Sequence, residues 1–175
     1  MPIDENIEFQ AIKVAVITIS DTRQDDNDTS GDKIVEFVNI MGHEMVQKII
    51  VKDDVHIIQQ AIKSFTTFGE IDAVITTGGT GLTGRDVTPE ALDGIADKLI
   101  PGFGELFRMV SYDKIGTSAL QSRTCAGVVD DVYVFCLPGS NGAVKDAFNL
   151  ILINQLDIRH KPCNFIEIMP RLKER

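Results

Sequence analysis

At 175 residues, 43% of them hydrophobic, the chain has the length of one compact domain whose core needs neither disulfides nor zinc, and it is too apolar for intrinsic disorder. Its 26 acidic residues against 17 basic ones give a formal charge of −9, which excludes a general nucleic-acid or anionic-membrane binder, since both need basic surfaces. A small anionic ligand stays open, because backbone N–H groups and a bridging Mg2+ hold phosphate without basic side chains.

Residues 13–19, a near-continuous β-branched run, predict a central strand covered on both faces. An acidic loop from Ser20 to Asp28 follows, with Asp25, Asp26 and Asp28 read as solvated. Thr29 or Ser30 is the expected cap of a helix that carries Ile34, Phe37, Val38 and Met41 on one face and stops at Gly42. The pattern recurs with a strand over 45–51, Asp53 or Asp54 as cap, and a helix through Ile58, Ile62 and Phe65 that closes at Gly69.

A third strand, 72–77, runs into Gly78-Gly79-Thr80-Gly81. Pro89 after a Thr88 cap puts the next helix start beyond the glycines, leaving Asp86 free in a loop of about ten residues. Pro101-Gly-Phe-Gly is expected to break the chain before a helix with Leu106, Phe107 and Val110. Asp130-Asp131 between two apolar runs predicts a hairpin that adds one antiparallel strand. After Pro138-Gly-Ser140, a closing helix spans 143–156, and residues 159–175 wrap the surface or a neighbouring subunit. The whole reads as one domain, a three-layer α/β/α sandwich on a mostly parallel sheet, with its core over about 13–157 and a C-terminal tail over 158–175.

In open α/β sheets ligands sit at the carboxyl ends of the strands, and the loops there hold the unusual residues. Gly79-Thr-Gly81-Leu-Thr-Gly84 satisfies G-x-G-x-x-G, but the helix start is displaced and the acidic partner of a dinucleotide site is missing. Arg85-Asp86 stands where a P-loop needs Lys-Ser/Thr. Glycines alternating with Thr77, Thr80 and Thr83 fit a backbone cradle for phosphate oxygens, and Pro138-Gly139-Ser140 before a helix is a second such cradle. Asp53 and Asp86, if the second and third strands flank the first, face one pocket and hold Mg2+ against a polyphosphate; the plainer reading of Asp53 is a helix cap. Ser118, Ser122 and Arg123 offer hydroxyl and guanidinium contacts.

Cys125, Cys136 and Cys163 form no zinc or C-x-x-C spacing and read as buried, reduced thiols. His43, His56 and His160 suit no nucleophilic or acid–base constellation, and no G-x-S-x-G elbow is present. With no signal-peptide order at the N-terminus and no apolar run of about 18 residues, the chain reads as cytoplasmic and unattached to membrane.

The ordered set Thr76-Thr-Gly-Gly-Thr-Gly81, Arg85-Asp-Val-Thr-Pro-Glu-Ala91, Pro101-Gly-Phe-Gly-Glu105, Ser122-Arg123 and Leu137-Pro-Gly-Ser140, spanning about Val14 to Phe165, closely resembles the MoaB/MogA family of molybdenum cofactor biosynthesis proteins. Asp28-Thr-Ser-Gly31, Ile115-Gly-Thr-Ser118 and Arg159-His-Lys-Pro-Cys-Asn-Phe165 strengthen the likeness. The resemblance implies a molybdopterin-binding fold and transfer of AMP from MgATP to the terminal phosphate of molybdopterin, with release of pyrophosphate before molybdenum insertion. Asp53 and Asp86 take the place of the family's two functional aspartates. Gly78, Gly79, Thr80 and Gly81 would hold phosphates, while Thr88, Ser118, Ser122 and Pro138 to Ser140 would line the pterin and nucleotide pocket, and Ser20, Thr77, Arg85, Pro89, Glu90 and Arg123 belong to the same molybdopterin- and nucleotide-binding set. A homotrimer or homohexamer and a hand-off to the molybdenum-insertion enzyme are implied as well. Two alternatives remain at this level: a non-catalytic molybdopterin carrier, and a pyrophosphatase-like enzyme acting on nucleotide diphosphates.

Overall fold

A computed structural model describes residues 3–67 and 69–174. The elements follow in the order β1 (Lys13–Ile19), α1 (Thr29–Ile40), β2 (Glu44–Val51), α2 (Val55–Thr66), β3 (Ala73–Thr77), α3 (Thr88–Asp93), β4 (Lys98–Leu99) and α4 (Pro101–Ile115). A 3-10 turn over Gly116–Gln121 leads to β5 (Cys125–Val129), β6 (Val132–Leu137) and α5 (Asn141–Ala147). The last helix continues through a π turn at Phe148–Leu152 into α6 (Ile153–Gln155), and α7 (Phe165–Ile168) lies in the C-terminal segment.

The six strands are ordered β2-β1-β3-β6-β5-β4. β1, β2, β3 and β6 pair in parallel, while β5 runs antiparallel to both of its neighbours. The expected sandwich and its single antiparallel strand are therefore present. Six of the seven β1 residues are buried because the sheet is covered on both sides. Val14 and Val16 join α1, α4, α5 and the C-terminal segment in one core, whereas Ala15, Ile17 and Ile19 pack against α2 and α3 in the other. The Asp130-Asp131 turn has both residues at positive φ, 50° and 65°, as a two-residue hairpin requires for its twist.

Several local expectations are corrected. Asp28 is fully buried and not solvated: it caps α1 by accepting the Gly31 N–H at 3.0 Å, receives the Thr18 hydroxyl at 2.7 Å, and lies 3.3 Å from Lys48 Nζ. Its partners are supplied by β1 and β2, so the carboxylate pins the start of α1 to the sheet. Pro101 begins α4 and does not precede a break, since proline is tolerated where the first N–H has no intrahelical partner. Thr88 does not cap α3 with its side chain. The expectation that the C-terminal segment wraps the surface is not among these: within 159–174 most residues are exposed or half-buried, Ile166 enters the core, and Tyr133 donates its hydroxyl to the Phe165 carbonyl at 3.0 Å with the two rings 4.9 Å apart. Of the three thiols only Cys136 is fully buried; Cys125 is half-buried and Cys163 exposed.

Candidate functional site

The parallel strands bring the ends of β1, β3 and β6 to one rim, and the reversed β5 brings its beginning there too. Thr18 pairs with Thr77, Thr77 with Leu137, and Cys125 with Cys136. The loops that leave this rim border a cavity of ≈ 790 Å³, within the range of small-molecule sites. One wall is Gly78, Gly79, Thr80, Gly81 and Asp86; a second is Pro138, Gly139 and Ser140; Ser122 contributes from the segment between the 3-10 turn and β5. The two cradles and one of the two aspartates read from the sequence thus share a single cavity.

The glycine loop is wedged between its neighbours. Gly78 N–H donates to Leu137 O at 3.0 Å, and Gly78 O accepts the fully buried Thr88 hydroxyl at 2.9 Å. Thr77 is buried and donates its hydroxyl to Pro138 O at 3.0 Å, which ties the two cradles together. Arg123 braces the loop from behind, with Nε to Gly81 O at 2.6 Å, Nη2 to Asp86 O at 2.5 Å and Nη1 to Glu90. Its guanidinium is therefore spent on protein partners. Ser140 caps α5, accepting Ala143 N–H at 3.2 Å, and Pro89 occupies the first turn of α3.

The two carboxylates lie against the loop. A methyl group on Gly81 would stand 2.8 Å from Asp86 Oδ2, and one on Gly79 would come within 3.2 Å of Asp53 Oδ1. Asp54 caps α2, accepting from His56 and Ile57 N–H at 2.9 and 3.0 Å, so Asp53 is released from that duty. Burial, then the Asp21 and Asp86 carboxylates, hold Asp53 above the usual carboxylate range against an N–H from Asp21 and the charge of Arg85. Asp86 is not free as expected, because it accepts Thr83 N–H at 2.8 Å. Burial pushes it up, but hydrogen bonds from Thr83 and Gly81 together with Arg123 outweigh this and hold it below its ordinary range. A raised and a lowered carboxyl beside one backbone cradle are hard oxygen donors of the kind Mg2+ takes alongside phosphate. Among the described residues no group of three or more His, Cys, Asp or Glu side chains converges on a metal position.

Other expected residues lie off the cavity. Arg85 is exposed and ion-paired with Asp21, and Ser20 accepts Thr22 and Arg23 N–H at 3.2 Å to shape the loop after β1. Ser118 is exposed on the 3-10 turn and is not brought to the cavity. The sequence reading missed a third wall, made by Phe107, Ser111, Lys114 and Ile115 of α4 with Lys145 and Asp146 of α5. Lys114 is ion-paired with Asp146, while among the described residues Lys145 has no hydrogen-bond or ion-pair partner. The basic last turn of α4, just before Gly116, was the available signal.

Comparison with known proteins places this geometry. Residues 15–158 match the family described as "Probable molybdopterin binding domain". Molybdenum cofactor biosynthesis protein B of Escherichia coli (strain K12) is 41% identical over 167 residues, covering 95% of this chain and 96% of that protein. A crystal structure of a molybdenum cofactor biosynthesis protein B superposes with a TM-score of 0.85 at 41% identity, over 95% of this chain and 98% of its own. The tungsten cofactor synthesizing protein MoaB from Pyrococcus furiosus gives 0.69 at 38% identity, over 81% and 91%. On the sequence match across most of its length and on the shared fold, the chain belongs to the MoaB/MogA family of molybdopterin-binding domains.

Proposed function

We propose that this protein binds molybdopterin and transfers AMP to it from MgATP, in the biosynthesis of the molybdenum cofactor. The observation that carries this reading is the pair of carboxylates, Asp53 against Gly79 and Asp86 against Gly81, beside a glycine cradle that shares one cavity with a second cradle. The names of the similar proteins point to the pterin, and the site's chemistry points to phosphoryl transfer. The terminal phosphate oxygen of the pterin attacks the α-phosphorus of ATP; the bond to the bridging oxygen breaks and pyrophosphate leaves. Mg2+ held by Asp53 and Asp86 supplies charge neutralisation when bound.

The chain's own residues position the reactants. Backbone N–H groups of Gly79, Thr80 and Gly139 hold phosphate oxygens, while those of Gly78 and Gly81 are committed to Leu137 O and Asp86 and fix the loop's shape; a site with few free cations assigns the binding task to dipoles. Thr88, Thr77 and Arg123 keep the cradle from yielding as charge develops, which is where pre-organised dipoles act. Lys145 offers an ammonium for a further phosphate, and Phe107 and Ile115 give the apolar wall that a ring system needs. The test incubates the protein with molybdopterin and MgATP and follows adenylylated pterin and pyrophosphate. Both products in equal amounts are expected. Pterin binding without ATP consumption would identify a carrier, and preferred binding of a nucleotide diphosphate would identify a pyrophosphatase-like enzyme; either overturns the proposal.

The protein is further proposed to assemble as a homotrimer or homohexamer and to pass its product to a molybdenum-inserting enzyme. Phe103 and Phe107 are core residues, but Met109 is 63% exposed and Leu120 80% exposed, and Leu120 borders a groove with Leu99 of the two-residue edge strand β4. Apolar side chains beside an open sheet edge are what a second copy covers. Light scattering after gel filtration is expected to give three or six chains per particle for the wild type and smaller particles for Leu120→Lys. A monomeric wild type at micromolar concentration overturns this assembly.

A further inference from the structure

Cys125 opens β5 and Cys136 lies one residue before the end of β6, and the register sets them directly opposite each other across the antiparallel pair. Facing residues in such a pair have Cα atoms about 4.5 or 5.5 Å apart, and both separations fall within the roughly 4.4–6.8 Å that a disulfide spans. The two side chains share one face of the sheet, Cys136 inside the core under α2 and α3 and Cys125 half-buried against it. Both are free thiols, and the proposed transfer chemistry uses neither.

Their location joins the two halves of the site. Two residues before Cys125 stands Arg123, whose guanidinium holds Gly81, Asp86 and Glu90. Two residues after Cys136 stands Pro138, whose carbonyl receives Thr77. Thr76, the β3 partner of Cys136 in register, carries a buried hydroxyl with no other polar partner and faces this sulfur.

We propose that Cys125 and Cys136 form a dithiol that small-molecule disulfides close into a cross-strand disulfide. The more accessible Cys125 loses its proton to solvent, attacks one sulfur of RSSR and expels RS−, which leaves a mixed disulfide on Cys125. Cys136 then loses its proton, attacks Cys125 Sγ and expels the second RS−. Two protein thiols are oxidised by two electrons, and the small disulfide is reduced to two thiols. Contact with Cys136 and burial hold the Cys125 thiol above its ordinary range, with Arg123 opposing, so the exchange is slow at neutral pH and faster in mildly alkaline buffer.

The intact protein is incubated with oxidised glutathione in mildly alkaline buffer until the exposed Cys163 is modified, then alkylated, digested and read by mass spectrometry. The expected product links the Cys125 and Cys136 peptides with loss of two hydrogens. Cys136→Ser is expected to stop after the first step, with one glutathionyl group on Cys125, and Cys125→Ser to leave Cys136 reduced. Reduced Cys125 and Cys136 beside a modified Cys163 overturn the proposal, as does glutathione on wild-type Cys125 without a cross-link. Neither result bears on molybdopterin or ATP, so the inference stands or falls apart from the proposed activity.

Discussion

Gly78→Ala is expected to lower stability by roughly 2–6 kcal/mol and to remove ligand binding. Gly78 has φ 109°, a conformation that costs an L-residue about 1–3 kcal/mol. An added Cβ would also stand less than 3.0 Å from the Ile19 carbonyl oxygen, which is backbone at the end of β1 and cannot rotate away. Overpacking of this kind adds about 1–3 kcal/mol. The loop has no free direction in which to relax, since Gly78 N–H is bonded to Leu137 O, Gly78 O to Thr88, and Gly139 lies with its own Cβ position 3.4 Å from Gly78 Cα. For a domain of this length the loss corresponds to a fall in melting temperature on the order of 10 °C. Gly84→Ala is the control, because nothing lies within 4 Å of a Cβ there and its φ is not positive. Thermal unfolding of both variants, with calorimetric titration of molybdopterin, gives the comparison. A Gly78→Ala protein that melts with the control and still binds would remove the cradle from the site.

The parts of this fold that could be read from the sequence are those decided by local chemistry. The β-branched run over β1, the Gly42 and Gly69 stops at φ 84° and 68°, and the Asp130-Asp131 turn each depend on residues adjacent in the chain. What escaped reading depends on groups brought together from afar. Asp28 looked like the acidic loop residues before it, and only Thr18 and Lys48, on different strands, make its burial affordable. Pro101-Gly-Phe-Gly looked like a break because glycine disfavours helix. Gly104 is nonetheless needed inside α4, since a Cβ would stand less than 3.0 Å from Thr124 O and keep the helix off β5. The same docking of α4 decides which of its residues reach the cavity, so Lys114 and Ile115 could not be assigned from spacing alone. The rim loops, by contrast, were legible, because parallel topology sends the ends of the strands to one edge whatever the details of packing.

Asp53→Asn and Asp86→Asn are each expected to reduce adenylyl transfer by about 100-fold or more while leaving the fold intact, the magnitude typical of removing one pre-organised electrostatic contact from a transition state. In Asp86→Asn the side-chain oxygen still accepts Thr83 N–H, so that turn survives, while the charge and the acceptor facing Gly81 N–H are lost together. Asp53 makes a sharper case because its carboxyl is raised by burial and by Asp21, which means that folding places this charge where it is disfavoured. A carboxyl raised in the folded state stabilises below its unfolded pKa and loses that contribution as pH rises through the folded value. Asp53→Asn is therefore expected to be at least as stable as the wild type at neutral pH, with any gain vanishing in acid, where the wild-type group is protonated in both states. Activity should show the complementary pattern. If Asp53 must be ionised before MgATP binds, the acid limb of the wild-type kcat/KM profile, which reports the free enzyme, is shifted upward from the ordinary carboxylate value, and it is not set by Asp86, whose carboxyl is lowered. A residue kept for packing would lose stability on substitution, whereas one kept for chemistry loses turnover and gains stability. Full turnover in both variants would sink the assignment of the two carboxylates, and a large stability loss in Asp53→Asn would return that residue to a structural role.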